Sequence, residues 1–182
     1  DGVLIEDKHY ISCISQVVLH KGLKKILSKS SSCGWLNIVM TNQSGIYRGF
    51  LTWDDYEKIT MKMLELIGKP FKIDAIYANG ASPDELLSTK SWRKPNPNMI
   101  LEAAKNFNID IQNSILVGDR LTDFQAGYNA GIKKFVHVLT GHGKNERESI
   151  LNMFKKLNNQ KNLFIVDDLS YFPISLISNI KP

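Results

Sequence analysis

The chain has 182 residues, enough for one domain with its own hydrophobic core. Its composition, 43% hydrophobic and 23% charged, is that of an ordinary globular protein, and no apolar run approaches the roughly 20 residues that cross a bilayer, which argues against a membrane role. The net charge of +5 is scattered in small pairs (Lys24-Lys25, Lys133-Lys134, Lys155-Lys156), so solvated helix faces are expected and nucleic-acid binding is not.

In chain order, the alternation of apolar and amphipathic runs predicts a helix near 20–31, a strand at 35–40 and a helix at 54–67. A strand at 73–77, a helix at 97–107 and a strand at 114–117 follow. The series closes with a helix at 122–130, a strand at 134–139, a helix at 145–158 and a strand at 162–166. Thr52 followed by Asp55 resembles a capping box, and Asn96 before Pro97 reads as an N-cap and first-turn pair. Trp53 and the Met61, Met63, Leu64 set read as helix packing. No repeat or Pro/Gly/Ser linker divides the chain, so a single domain over 1–182 is expected. Strands alternating with helices imply an α/β fold with a doubly wound parallel sheet, whose ligands bind beyond the carboxyl ends of the strands.

Polar clusters fall at those ends or at the chain start: Asp1-Gly2, Thr41-Asn42-Gln43-Ser44, Arg93-Lys94 and Gly118-Asp119-Arg120. Asp119 after a buried strand is either a hard oxygen ligand for magnesium or a helix cap. Thr41, with the backbone N–H groups of its turn, either holds a phosphoryl group or makes a polar turn. Lys94 either neutralises phosphoryl charge or is a surface lysine. His137 alternates with Val136 and Val138 and reads as structural, whereas His142, between Gly141 and Gly143, is placed to approach a ligand. Cys13 and Cys33 are too few for a disulfide framework or a four-thiolate zinc site, and fit a reducing compartment.

The order of these clusters resembles the four signatures of the haloacid dehalogenase (HAD) superfamily. The segment from Thr41 to Gly49, Thr-Asn-Gln-Ser-Gly-Ile-Tyr-Arg-Gly, looks like the corresponding TNQSGIARG segment of the D-glycero-D-manno-heptose 1,7-bisphosphate 7-phosphatases; histidinol-phosphate phosphatases carry similar motifs. Arg93-Lys94-Pro95-Asn96-Pro97, Val117-Gly118-Asp119 and Thr140-Gly141 follow the family order, over roughly residues 1 to 143. The resemblance implies a HAD-type Rossmann-like fold without a large cap domain. It also implies a magnesium-dependent hydrolase of sugar phosphate monoesters, acting through an aspartyl phosphate on heptose 1,7-bisphosphate at the 7-phosphate. Histidinol phosphate or another small phosphomonoester, or a catalytically silent phosphate-binding role, is the alternative.

Position by position, the resemblance makes Asp1 the general acid/base, with its carbonyl on magnesium, and Asp119 the carboxylate ligand of the metal. Thr41 and Lys94 become the phosphoryl stabilisers. Asp7, Tyr10, Asn42, Gln43, Ser44, Arg93 and Arg120 become substrate contacts. Three departures qualify the match. The family's nucleophilic aspartate belongs two positions before Asp1, and the Gly2 that follows argues against Asp1 itself as nucleophile; the expectation is that the first strand and the nucleophile precede the given sequence. His9 stands where the family commonly has glycine. The stretch 78–92, where the family usually has a Cys/His zinc loop, contains neither residue, so Mg2+ and no zinc is expected. A cytoplasmic monomer acting on a small phosphorylated sugar, with no nucleic-acid or membrane partner, completes the reading.

Overall fold

A computed structural model describes residues 1–8, 11, 13–82, 84 and 91–178. Helix α1 (Leu23–Ser32) leads into strand β1 (Ile38–Asn42), a one-turn helix α2 (Ser44–Tyr47) and helix α3 (Trp53–Ile67). Strand β2 (Ala75–Asn79), helix α4 (Asn98–Phe107), strand β3 (Ile115–Gly118) and helix α5 (Leu121–Ala130) follow, then strand β4 (Lys134–Val138), helix α6 (Gly143–Lys156) and strand β5 (Leu163–Val166).

All strand pairs are parallel. β1 lies beside β2 with Ile38 opposite Ala75, and β3, β4 and β5 form a second set in that order, with Val117 opposite Val136 and Val136 opposite Phe164. β1 and β3 are each the outer strand of their set. In β4, Phe135, Val136, His137 and Val138 are all buried, the mark of a strand covered on both faces. The chain therefore has the α/β architecture expected from its sequence, and no segment of cap-domain size interrupts it among the described residues.

Strands β1 and β2 begin three and two residues later than their hydrophobic runs suggest, at Ile38 and Ala75. The main-chain N–H of Asn37 donates to the Asp74 carboxylate at 2.7 Å, and Trp35 gives its indole N–H to Ser178 O at 2.7 Å. These bonds occupy 35–37 before the ladder starts, so Thr41 and Asn42 fall inside β1. The capping box at α3 is present: Asp55 N–H donates to Thr52 Oγ1 at 3.2 Å and Thr52 N–H to Asp55 Oδ2 at 2.9 Å. At α4 the cap position is Pro97, one residue later than expected, and it has no side-chain acceptor to offer. Along α3, Ile59, Met63 and Ile67 recur every fourth residue and are buried, whereas Met61 and Trp53 are half exposed or more and do not belong to the packed face.

The core sits on both sides of the β3–β5 set. Phe124, Phe135 and Phe154 are fully buried and meet with ring centroids 5.0 to 6.2 Å apart, tying α5 and α6 to β4. Gly127 lets α5 approach β3 closely, since a Cβ there would stand 2.5 Å from Leu116 Cδ1. This packing fixes the carboxyl ends of β1 and β3, where the polar clusters emerge.

Candidate active site

A cleft of about 510 Å³ opens at the carboxyl ends of the strands. Asp1, Asp7, Thr41, Asn42, Gln43, Ser44, Arg93, Lys94, Asp119 and Arg120 line it together, although they come from five separate stretches of chain. Tyr10 and His9 lie outside the described residues.

Lys94 is held at the centre. Its ammonium donates to the Asp123 carboxylate at 2.6 Å and to Met40 O, inside β1, at 2.9 Å. Its main chain is clamped as well: Lys94 N–H donates to Asn42 Oδ1 at 3.1 Å, and Asn42 Nδ2 donates to Lys94 O at 3.0 Å. Asn42, expected to touch substrate, lines the cleft, and its amide bonds Lys94 through both Oδ1 and Nδ2, joining the end of β1 to the loop before α4. Gln43 Nε2 donates to Thr41 Oγ1 at 2.9 Å and so orients that hydroxyl. Arg93 donates to Ser44 Oγ at 2.9 Å and to Ala81 O at 3.0 Å, so its guanidinium is fixed by the start of α2 and the loop after β2.

Asp123, four residues after Asp119, is not among the site residues expected from sequence. It is buried, and its Oδ2 accepts the N–H groups of Arg120 at 3.0 Å and Asp119 at 3.3 Å, as a first-turn acid of α5 does. Its Oδ1 takes the Lys94 ammonium. One carboxylate thus caps a helix and aims the lysine. Only the spacing of three residues after Arg120 hinted at the first job. Nothing local in sequence hints at the second.

Asp119 is 4% exposed and sits in a cradle of glycines. A Cβ on Gly2 would stand 2.3 Å, and one on Gly141 2.4 Å, from Asp119 Oδ2, and both glycines have positive φ (+77° and +54°). His142 N–H donates to the same oxygen at 2.9 Å, and Thr140 Oγ1 donates to Gly2 O. Burial, and then the neighbouring Asp123 charge, push the Asp119 carboxyl above the ordinary carboxylate range; the His142 N–H and Arg120 oppose that rise. A carboxylate in that position gains from a bound cation. No three-residue cluster of His, Cys, Asp or Glu suited to a metal is found among the described residues, but magnesium needs few protein ligands because it keeps waters and takes phosphate oxygens. The donor set around Asp119 fits magnesium in that manner.

His137 is buried, with Nε2 3.1 Å from Gly143 O and its ring edge-on to Phe124 at 5.5 Å, which makes it structural. His142 instead reaches the cleft rim, with Nε2 3.0 Å from Asp7 Oδ2 and in contact with Arg120 Nη2.

A HAD-hydrolase-like family model matches residues 91–171, the part that carries Lys94, Asp119 and Asp123. The D-glycero-beta-D-manno-heptose-1,7-bisphosphate 7-phosphatase of Helicobacter pylori is 37% identical over 135 residues, covering 73% of this chain and 76% of that protein. The chain belongs to this family of HAD-like phosphatases. Another relative in the family, the D-glycero-alpha-D-manno-heptose-1,7-bisphosphate 7-phosphatase of Campylobacter jejuni, is 35% identical over 170 residues and covers 93% of this chain and 94% of its own. The HAD-like fold is matched in space by the crystal structure of a D,D-heptose 1,7-bisphosphate phosphatase from B. bronchiseptica complexed with magnesium and phosphate. The TM-score is 0.77 at 25% identity, over 93% of this chain and 90% of that one.

Proposed function

We propose that this phosphatase hydrolyses the 7-phosphate of D-glycero-D-manno-heptose 1,7-bisphosphate with the help of magnesium. The observation that carries this reading is that a fixed cation, Lys94, and a buried carboxylate, Asp119, line one cleft together with Arg93 and Arg120. The names of the relatives supply the sugar.

The reacting phosphoryl group would lie beside Thr41 and Lys94. The Thr41 hydroxyl and the Lys94 ammonium would share the charge of its equatorial oxygens. Asp119, with the main-chain carbonyl of Asp1, would hold magnesium, which supplies further neutralisation of that charge when bound. By the resemblance to the family, the acceptor would be the aspartate that the family carries two positions before the place matched by Asp1. That carboxylate oxygen bonds to phosphorus as the bond to the sugar oxygen breaks, and the sugar oxygen takes a proton from the Asp1 carboxyl. Asp1 then removes a proton from water, whose oxygen displaces the carboxylate and releases phosphate. Arg93, fixed by Ser44 and Ala81, would bind the sugar end of the substrate.

The decisive assay is phosphate release from a panel holding both anomers of the heptose bisphosphate, histidinol phosphate and simple sugar monophosphates, using protein with its natural N-terminus. Fastest turnover of a heptose bisphosphate, lost with chelator and restored by magnesium, is expected. Preference for histidinol phosphate would move the substrate assignment, and no release from any ester would favour a phosphate-binding relative. A stoichiometric zinc ion in metal analysis would overturn the assignment of magnesium alone.

A further inference from the structure

One residue at the end of β2, Asn79, is tied to two parts of the cleft. It is buried and stands opposite Asn42 in the β1–β2 ladder. Its main-chain carbonyl accepts the Gln43 N–H at 2.7 Å, and the Gln43 amide in turn donates to the Thr41 hydroxyl at 2.9 Å. Its side-chain Oδ1 accepts the Ala81 N–H at 3.1 Å, closing a turn of the Asx type. The carbonyl of Ala81 accepts Arg93 Nη1 at 3.0 Å, while Ser44 Oγ accepts Nη2 at 2.9 Å. Between Asn79 and Ala81 lies Gly80, where a Cβ would stand 2.7 Å from Trp53 Cζ2 and 3.3 Å from Ile46 Cγ2. The half-exposed Trp53 indole, which stands off the packed face of α3, thus lies close against this turn.

We infer that Asn79 is a positioning residue for substrate binding: its side chain sets the turn that presents the Ala81 carbonyl to Arg93, and Trp53 braces that turn from α3. Neither Asn79 nor Trp53 is among the residues that line the cleft, so both act through Arg93. The guanidinium is a planar fork, and acceptors on both Nη atoms fix the direction in which its other N–H groups point. An arginine held in this way before substrate arrives loses less freedom on binding, so the turn contributes affinity without entering the reaction. The inference rests on the proposed contact of Arg93 with the sugar end of the substrate, while the hold on its guanidinium can be read without turnover.

Asn79→Leu keeps the size of the side chain and removes its acceptor. By 15N NMR the wild-type Arg93 guanidinium should rotate slowly about Nε–Cζ and give separate Nη1 and Nη2 signals, which should merge in Asn79→Leu. Kinetics supply the second arm. Asn79→Leu should raise KM for heptose 1,7-bisphosphate about tenfold and change kcat by less than about threefold. Asn79→Asp, which keeps an oxygen for the Ala81 N–H, should recover most of the lost affinity. In an Arg93→Ala background, Asn79→Leu should raise KM no further. Nη signals that stay separate in Asn79→Leu, a kcat loss larger than the rise in KM, no recovery in Asn79→Asp, or full additivity with Arg93→Ala each overturns the proposal. Should Asn79→Leu fail to fold, Trp53→Ala at its half-exposed site is read in the same way, with merged Nη signals and a smaller rise in KM expected. Separate signals and an unchanged KM in that variant overturn the proposal. An unchanged KM in Arg93→Ala alone would refute the contact of Arg93 with substrate, while the Asn79→Leu spectrum would still decide the hold on its guanidinium.

Discussion

At the residue scale, the cleft separates groups that act on charge from groups that place them. Lys94 belongs to the first kind. Its replacement by alanine should lower kcat roughly 100- to 1,000-fold, as loss of a donor aimed at developing charge does. It would also strand Asp123, which pairs with the lysine at 2.6 Å in a largely buried setting. Asp123→Asn keeps the shape but loses the ion pair, so kcat should fall by less than in Lys94→Ala. Steady-state kinetics on the two variants separates the roles, and a larger loss in Asp123→Asn would reverse them. Arg93→Ala should instead act mainly on KM, because its bonds to Ser44 and Ala81 fix it at the binding end. A kcat loss as large as that of Lys94→Ala would move Arg93 into the reacting centre.

At the scale of single elements, the local rules can be tested one by one. The reciprocal cap of α3 makes Thr52→Ala cost about 1 kcal/mol of stability, measured by denaturant unfolding. A cost near zero would mean that packing of Ile59, Met63 and Ile67 fixes the helix start unaided. On β4, burial holds the His137 imidazole below its ordinary pKa, opposed by its bonds to Gly118 O and Gly143 O. His20, whose Nε2 is buried without a partner among the described residues, is lowered for the same reason. The sign follows from linkage: the unfolded chain takes up these protons first. The contribution to stability is therefore complete above the unfolded histidine value of about 6.5 and is lost as pH falls below it, until the folded rings themselves titrate. Thermal unfolding at about pH 7.5 and pH 5.5 should show a lower Tm at the acid end, and His137→Gln should reduce that difference. An undiminished difference in the variant would assign the slope to other groups.

At the scale of the whole molecule, the site is a junction, so ligation and stability are linked. Asp119 is approached by Gly2, Gly141 and the His142 N–H, which come from stretches far apart in the sequence. A cation bound there relieves the unfavourable burial of the carboxylate. Magnesium should therefore raise Tm, by an amount that grows with its concentration, and chelator should reverse the rise. Asp119→Asn should abolish the dependence. A magnesium-induced rise that persists in this variant would place the cation elsewhere.

The sequence by itself determined the alternation of helices and parallel strands, because burial on two faces leaves apolar runs and each helix leaves a stripe. It also showed the Thr41, Lys94 and Asp119 clusters, because strand ends in such folds must turn polar. What it could not show was how those clusters are held. Asn42 reads as a motif residue but clamps Lys94, Asp123 reads as a helix acid but aims the ammonium, and the expected Asn96 cap yields to Pro97. The start of β1 was also hidden, since the Asn37 N–H turns to the Asp74 carboxylate. Each of these outcomes depends on which donor and acceptor meet across a large sequence separation. Side-chain periodicity records which face of an element is buried and is silent about its partners, so only the tertiary structure decided them.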